Sequence, residues 1–256
     1  MQRPGSAVVV ALFLAANPAM LPAQGPPGGG GGFNNEPPRN LKVLPSDWDR
    51  RQVVGYMRNV AIGLGVRCEF CHQDDQPNGP RGDMANDDKV TKRIAREMIR
   101  MVQQINTQTL ANLPQRETPP VEVTCQTCHH GVSIPRPIGD ILSAAVTAAG
   151  ADSAMRAYRA LRERYYGRAS YDFGDLPVIL VAQNLVRDRR PDDALALLRM
   201  DGEFWPQSSQ VQTSIGEAFR AKGDTTAAVE AYQAALRLNP NDGGARQRLR
   251  ELGRQP

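Results

Sequence analysis

From residue 46 onward the apolar positions of this chain recur at spacings of three and four, the pattern of helices with one apolar face. Val53, Met57, Val60, Ala61 and Leu64 form a first stripe. Ser46 precedes it with Asp49 three residues on, which reads as an N-cap with a capping box, and Gly63 and Gly65 mark the stop. Lys89–Leu110 predicts a second helix with Ile94, Met98, Met101 and Ile105 on one face. A loop broken by Pro114, Pro119 and Pro120 follows, and beyond Pro137 an alanine-rich helical pattern continues. The expected fold is all-α, with a small domain over residues 40–138 and a helical region over 139–256.

The region after 139 contains a repeat of 34 residues. Gly216, Phe219, Ala228, Tyr232, Ala235 and Pro240 occupy the key positions of a tetratricopeptide repeat. Shifted back by 34 they become Ala182, Leu185, Ala194, Leu198, Asp201 and Pro206, and only Asp201 breaks the pattern. Small residues fit where two helices cross closely, large apolar ones fill the contact, and proline ends the second helix. Residues 175–208 and 209–242 therefore predict two helical hairpins, turning at Pro191 and Gly223. Helices Asp152–Tyr165 and Gly244–Leu252 are expected to cover the ends of this short array.

Residues 1–23 read as a secretory signal: Arg3, an apolar run Ala7–Ala16, the breaker Asn17-Pro18 and a cleavage site after Ala23. The run is too short for the roughly 20 residues a membrane span requires. Residues 24–39 are a Gly/Pro-rich linker. Together they predict an exported bacterial protein of the periplasm or cell surface, without a transmembrane span in the mature chain.

With 41% hydrophobic and 23% charged residues, the composition excludes a wholly disordered chain and a multi-span membrane protein. Aromatic residues are only 5%, so the core must be aliphatic or built around a group the sequence does not encode. A net charge of +4 without a concentrated basic patch argues against nucleic acid as a partner.

The four cysteines fall in two identical frames, Cys68-Glu69-Phe70-Cys71-His72 and Cys125-Gln126-Thr127-Cys128-His129. Each is Cys-x-x-Cys-His, the attachment signature of c-type haem. Two thiols one helical turn apart can each form a thioether to a haem edge, and the following imidazole then reaches the iron. Disulfides or a four-cysteine zinc site are the competing readings. Neither requires histidine after the second cysteine, and here that coincidence occurs twice, using two of only three histidines. The frames thus predict two covalently bound c-type haems, with His72 and His129 each holding one iron. Methionine is the main soft residue left for the opposite side of each iron. Met57 lies in the helix before the first frame and Met98 and Met101 in the helix before the second, and spacing alone does not choose between the last two.

Residues 40–138 resemble a two-haem half of the tetrahaem cytochrome subunit of photosynthetic reaction centres. The resemblance rests on Val54–Leu64 before the first frame, on Ala95–Val102 with Ile105-Asn106, and on Val123–His129 with Gly131. It implies a methionine ligand on the helix preceding each frame, which makes Met57 the first, Met98 the second, and Met101 packing. The chain departs from that subunit in having two frames rather than four, a longer loop before Cys125, and His130 where the family usually has arginine.

The function these features predict is one-electron transfer between periplasmic or membrane redox proteins, with the repeat region as a docking surface for a protein partner. Two other classes compete. A dihaem peroxidase would need an open iron and an acid–base group beside it. An adaptor would use the repeats and keep the haems as structural groups.

Overall fold

Asp49, rather than Ser46, starts the first helix. Its carboxylate accepts the Gln52 amide N–H at 2.8 Å while the Gln52 side chain accepts the Asp49 N–H at 2.8 Å. Residues 45–48 form a turn closed by Trp48 N–H on the Pro45 carbonyl, which removes Ser46 from the helix end. The computed structural model describes residues 37–72, 83–115 and 118–255. The expected signal over 1–23 and all but the last residues of the linker over 24–39 lie outside them.

Every regular element among the described residues is helical. Helix α1 (Arg50–Leu64) ends at Gly65 in the left-handed conformation, as the glycine pair predicts. Helix α2 (Val90–Gln104) is shorter than expected from the sequence. Its continuation widens into a π-helical turn over Ile105–Thr109 and tightens over Leu110–Asn112. The short helix α3 (Cys125–His129) is the second cysteine frame itself.

Helix α4 begins at Ile138, fourteen residues before the Asp152 expected from sequence, and runs to Tyr165 with a break at Ala149–Gly150. Two pairs of helices follow. Helices α5 (Leu176–Arg187) and α6 (Pro191–Phe204) turn at Pro191, and α7 (Ser209–Lys222) and α8 (Thr225–Leu238) turn at a left-handed Gly223. Helix α9 (Gly243–Glu251) closes the end. Gly216 is small because it faces Tyr232: a Cβ there would run into the tyrosine ring. No helix among the described residues is long and apolar enough to cross a membrane.

The two parts differ in what they bury. From Ile138 onward a continuous aliphatic core includes Leu142, Val146, Tyr158, Val178, Leu197, Leu198 and Val211, with a satellite around Tyr232 and Leu249. Before Ile138 only Leu44 and Ile99 are buried hydrophobic residues, among those described. Val54, Ile62, Phe70, Val90, Ile94, Met98, Met101, Val121 and Ile134 are all exposed there. Of these, Val90, Ile94, Met98 and Met101 share one face of α2, an apolar stripe that the described residues leave open.

Candidate functional site

The first frame is folded by its own backbone. Cys68–Phe70 form one tight helical turn, and the Cys71 and His72 amides both donate to the Cys68 carbonyl, at 3.2 and 3.0 Å. That turn puts the thiols and the imidazole on one short stretch of chain. The start of α2 holds it from outside: Thr91 donates its hydroxyl to the Phe70 carbonyl at 2.6 Å, and Lys89 donates to the carbonyl of Glu69.

The second frame has its own start signal, Thr124 with Thr127. The Thr124 amide donates to the Thr127 hydroxyl at 3.0 Å in a reciprocal capping box, so α3 begins at Cys125. Asn106 then fixes the segment leading into it. Its amide NH2 donates to the Val123 carbonyl and its oxygen accepts the Val123 N–H, both at 2.8 Å. The π-helical turn supplies the local widening that presents Asn106, a feature often found at functional sites. The end of α1 packs directly on α3, where a Cβ on Gly63 would lie 2.9 Å from the Cys125 Cβ, and the Gly131 amide donates to the Gly63 carbonyl at 2.9 Å.

The frames therefore sit at opposite ends of α2, one held by residues 89–92 and the other by Asn106. These positions are about 20–25 Å apart along the axis, at 1.5 Å per residue. The open stripe Val90, Ile94, Met98 and Met101 runs between them. Met57 is half-buried on α1.

The two imidazoles share one arrangement. Nδ1 of His72 bonds the Met84 carbonyl at 3.0 Å, and Nδ1 of His129 bonds the Val132 carbonyl at 2.9 Å. A carbonyl can only accept, so each Nδ1 carries the proton and each Nε2 keeps a lone pair for a metal. Burial pushes the His72 pKa down, with Lys92 adding to the effect, which favours the neutral ring that a metal needs. His130 caps α3 at positive φ with its ring exposed, and its carbonyl accepts the Ser170 hydroxyl at 2.7 Å.

All four thiols are free. No three His, Cys, Asp or Glu side chains converge on a common metal position among the described residues. The cysteines thus stand as two separate pairs, which disfavours a single four-cysteine zinc site. Burial raises the Cys71 and Cys125 thiols above their ordinary value, keeping them as neutral thiols at neutral pH.

Next to Cys128 opens a cleft of about 600 Å³, bordered by Pro135, Pro137, Tyr171, Leu176 and Leu180. Its size lies in the range of cofactor pockets, roughly 300–1,000 Å³. Leu176 and Leu180 lie one turn apart on α5 and remain 51% and 50% exposed, so α5 supplies one apolar wall.

With two thiol pairs, two metal-ready imidazoles and an apolar surface between them, the residues fit covalently held haem. Comparison with known proteins agrees. Residues 40–190 match the family described as "Photosynthetic reaction centre cytochrome C subunit". The chain belongs to this family, whose cytochromes bind covalently attached c-type haem. The match extends beyond α3 through α4 and α5. The chain is 32% identical over 129 residues to the "Photosynthetic reaction center cytochrome c subunit" of Rubrivivax gelatinosus, covering 46% of this chain and 31% of the relative. It is 34% identical over 92 residues to "Cytochrome c-554" of Chloroflexus aurantiacus, covering 36% of this chain and 20% of that relative. The chain thus spans a third or less of each relative's length.

Sequence reasoning did not find Asn106, Thr91, Lys92 or the Thr124–Thr127 box as supports of the frames. The Thr-x-x-Thr spacing before Cys128 was the one local signal available.

Proposed function

We propose that this protein is an exported dihaem c-type cytochrome that carries electrons one at a time between periplasmic or membrane redox proteins. Cys68 and Cys71 would hold one haem, with His72 on its iron. Cys125 and Cys128 would hold the other, with His129 on its iron. Met57 and Met98 are the proposed opposite ligands, with Met101 as the alternative to Met98. The observation that carries this reading is the pair of Cys-x-x-Cys-His frames in which both imidazoles are locked through Nδ1, with Nε2 left for iron.

Bound haem supplies a one-electron iron couple. The protein's part is to anchor it, orient the imidazoles and exclude water. The Met84 and Val132 carbonyls fix the rings, which raises their donor strength toward a metal. Thr91, Lys89 and Asn106 keep the frames from shifting. The apolar stripe of α2 and the Leu176–Leu180 wall provide dry surfaces, which favour the less charged reduced state. The helical hairpins of the second half serve as the docking surface for a redox partner.

A spectroelectrochemical titration of the matured protein tests this. Two reversible one-electron steps are expected. Catalytic turnover of peroxide by the reduced protein, or an iron that stays five-coordinate, would replace the carrier with an enzyme.

A further inference from the structure

Helix α2 is inside out. Val90, Ile94, Met98 and Met101 face outward, while Lys92 and Arg96 are buried with Ile99 on the opposite side. A buried ammonium is costly unless its donors are satisfied. Lys92 meets that requirement fully. Its Nζ donates to the Met84 carbonyl at 2.8 Å and to the Asn86 carbonyl at 2.6 Å, and lies 3.3 Å from the Asp87 carboxylate. Asp87 is itself held by Arg96 at 2.7 Å and Lys42 at 2.8 Å, which tie residues 40–44 to the same side of α2.

The Met84 carbonyl is also the acceptor for His72 Nδ1. One oxygen thus receives two donors, an imidazole N–H and an ammonium. The second frame differs: the Val132 carbonyl accepts His129 with no ammonium beside it in the bonds described.

We propose that Lys92 is a positioning residue for His72 that sets the potential of the haem this histidine holds. The inference rests on the dihaem reading above. A carbonyl bonded to Nδ1–H pushes electron density into the ring and favours oxidised iron. An ammonium on the same oxygen withdraws that density, and its charge further favours reduced iron. Both effects raise the potential of the first haem relative to one without the lysine. Lys92 also fixes the oxygen in place, so the ring keeps one orientation.

The test is redox titration of matured Lys92→Met, which keeps the stem and removes the charge, with haem content read by intact mass. One of the two steps is expected to fall by about tenfold in its equilibrium constant, or about 59 mV for one electron, the other staying put. Lys92→Arg should restore it. Two haems with both potentials unchanged, or with the affected one raised, would overturn the proposal. Should Lys92→Met lose a haem, Asp87→Asn decides. Removing the carboxylate beside Lys92 is expected to raise the same step, and an unchanged potential overturns the proposal. A wild-type protein without haem would instead overturn the dihaem reading itself.

Discussion

Gly65 and Gly131 meet backbone to backbone: a Cβ on Gly65 would overlap the carbonyl oxygen of Gly131. Both adopt positive φ, 65° and 81°. One ends the helix before the first frame and the other follows the second, so this contact ties together segments that flank the two frames. Alanine at 65 meets left-handed strain of about 1–2 kcal/mol and a backbone clash besides. Gly65→Ala is expected to lower the thermal midpoint of the cytochrome half and the haem content per chain, measured by calorimetry and intact mass. Gly223→Ala, at a left-handed helix end with open space around its Cβ position, serves as the comparison for left-handed strain alone.

Met57→Ala and Met98→Ala are each expected to change the optical and paramagnetic resonance spectra of one haem, with the other retained. Met101→Ala should leave both low-spin. A reversed result for Met98 and Met101 would move the ligand one turn along α2.

Asn106 joins the end of α2 to Val123 through two bonds, and both partners are partly buried. Asn106→Ala leaves an N–H and a carbonyl unpaired, at a cost of about 1–3 kcal/mol. The loss is expected in urea unfolding of the cytochrome half, with the hairpin array unaffected.

Asp201 is fully buried and neither carboxylate oxygen has a hydrogen-bond partner. Burial, with the Asp175 charge adding to it, pushes its pKa from the ordinary 3.8 to about 7. The folded chain therefore holds this proton more tightly than the unfolded one. Below pH 3.8 the group is neutral in both states and costs nothing through ionisation; between 3.8 and about 7 the unfolded chain ionises first, so stability falls as pH rises. The full loss, on the order of 4 kcal/mol, is present above pH 7. Asp201→Ala, the residue type found one repeat later at Ala235, is expected to be more stable than wild type at pH 8. The difference should shrink toward pH 4. Equal pH dependence of the two proteins in urea unfolding would contradict this.

Much of this architecture could be read from residue patterns because it is local. The cysteine frames, the Gly65 stop, the hairpin turns at Pro191 and Gly223 and the Gly216–Tyr232 approach all rest on short spacings or on the 34-residue repeat. Asp201 stood out as the one break in that repeat, and it is the orphaned carboxylate of the core. What could not be read depends on distant partners. Ser46 and Asp49 both suit an N-cap, and only the turn closed on Pro45 decides between them. The face of α2 that turns inward follows from Asp87 and the residue 40–44 segment, not from its own amphipathy. Asn106 acts on Val123 across a long loop, and Lys92 on His72 through a third residue's carbonyl.

The central claim is that each frame carries its own haem. The most direct test is intact mass together with the reduced optical spectrum, on protein exported by a host that matures c-type cytochromes. The account predicts two covalent haems per chain and a low-spin reduced spectrum, with Cys68→Ala/Cys71→Ala and Cys125→Ala/Cys128→Ala each losing one. A colourless protein at the mass of the bare polypeptide, or a single haem per chain that either double substitution abolishes, would contradict it.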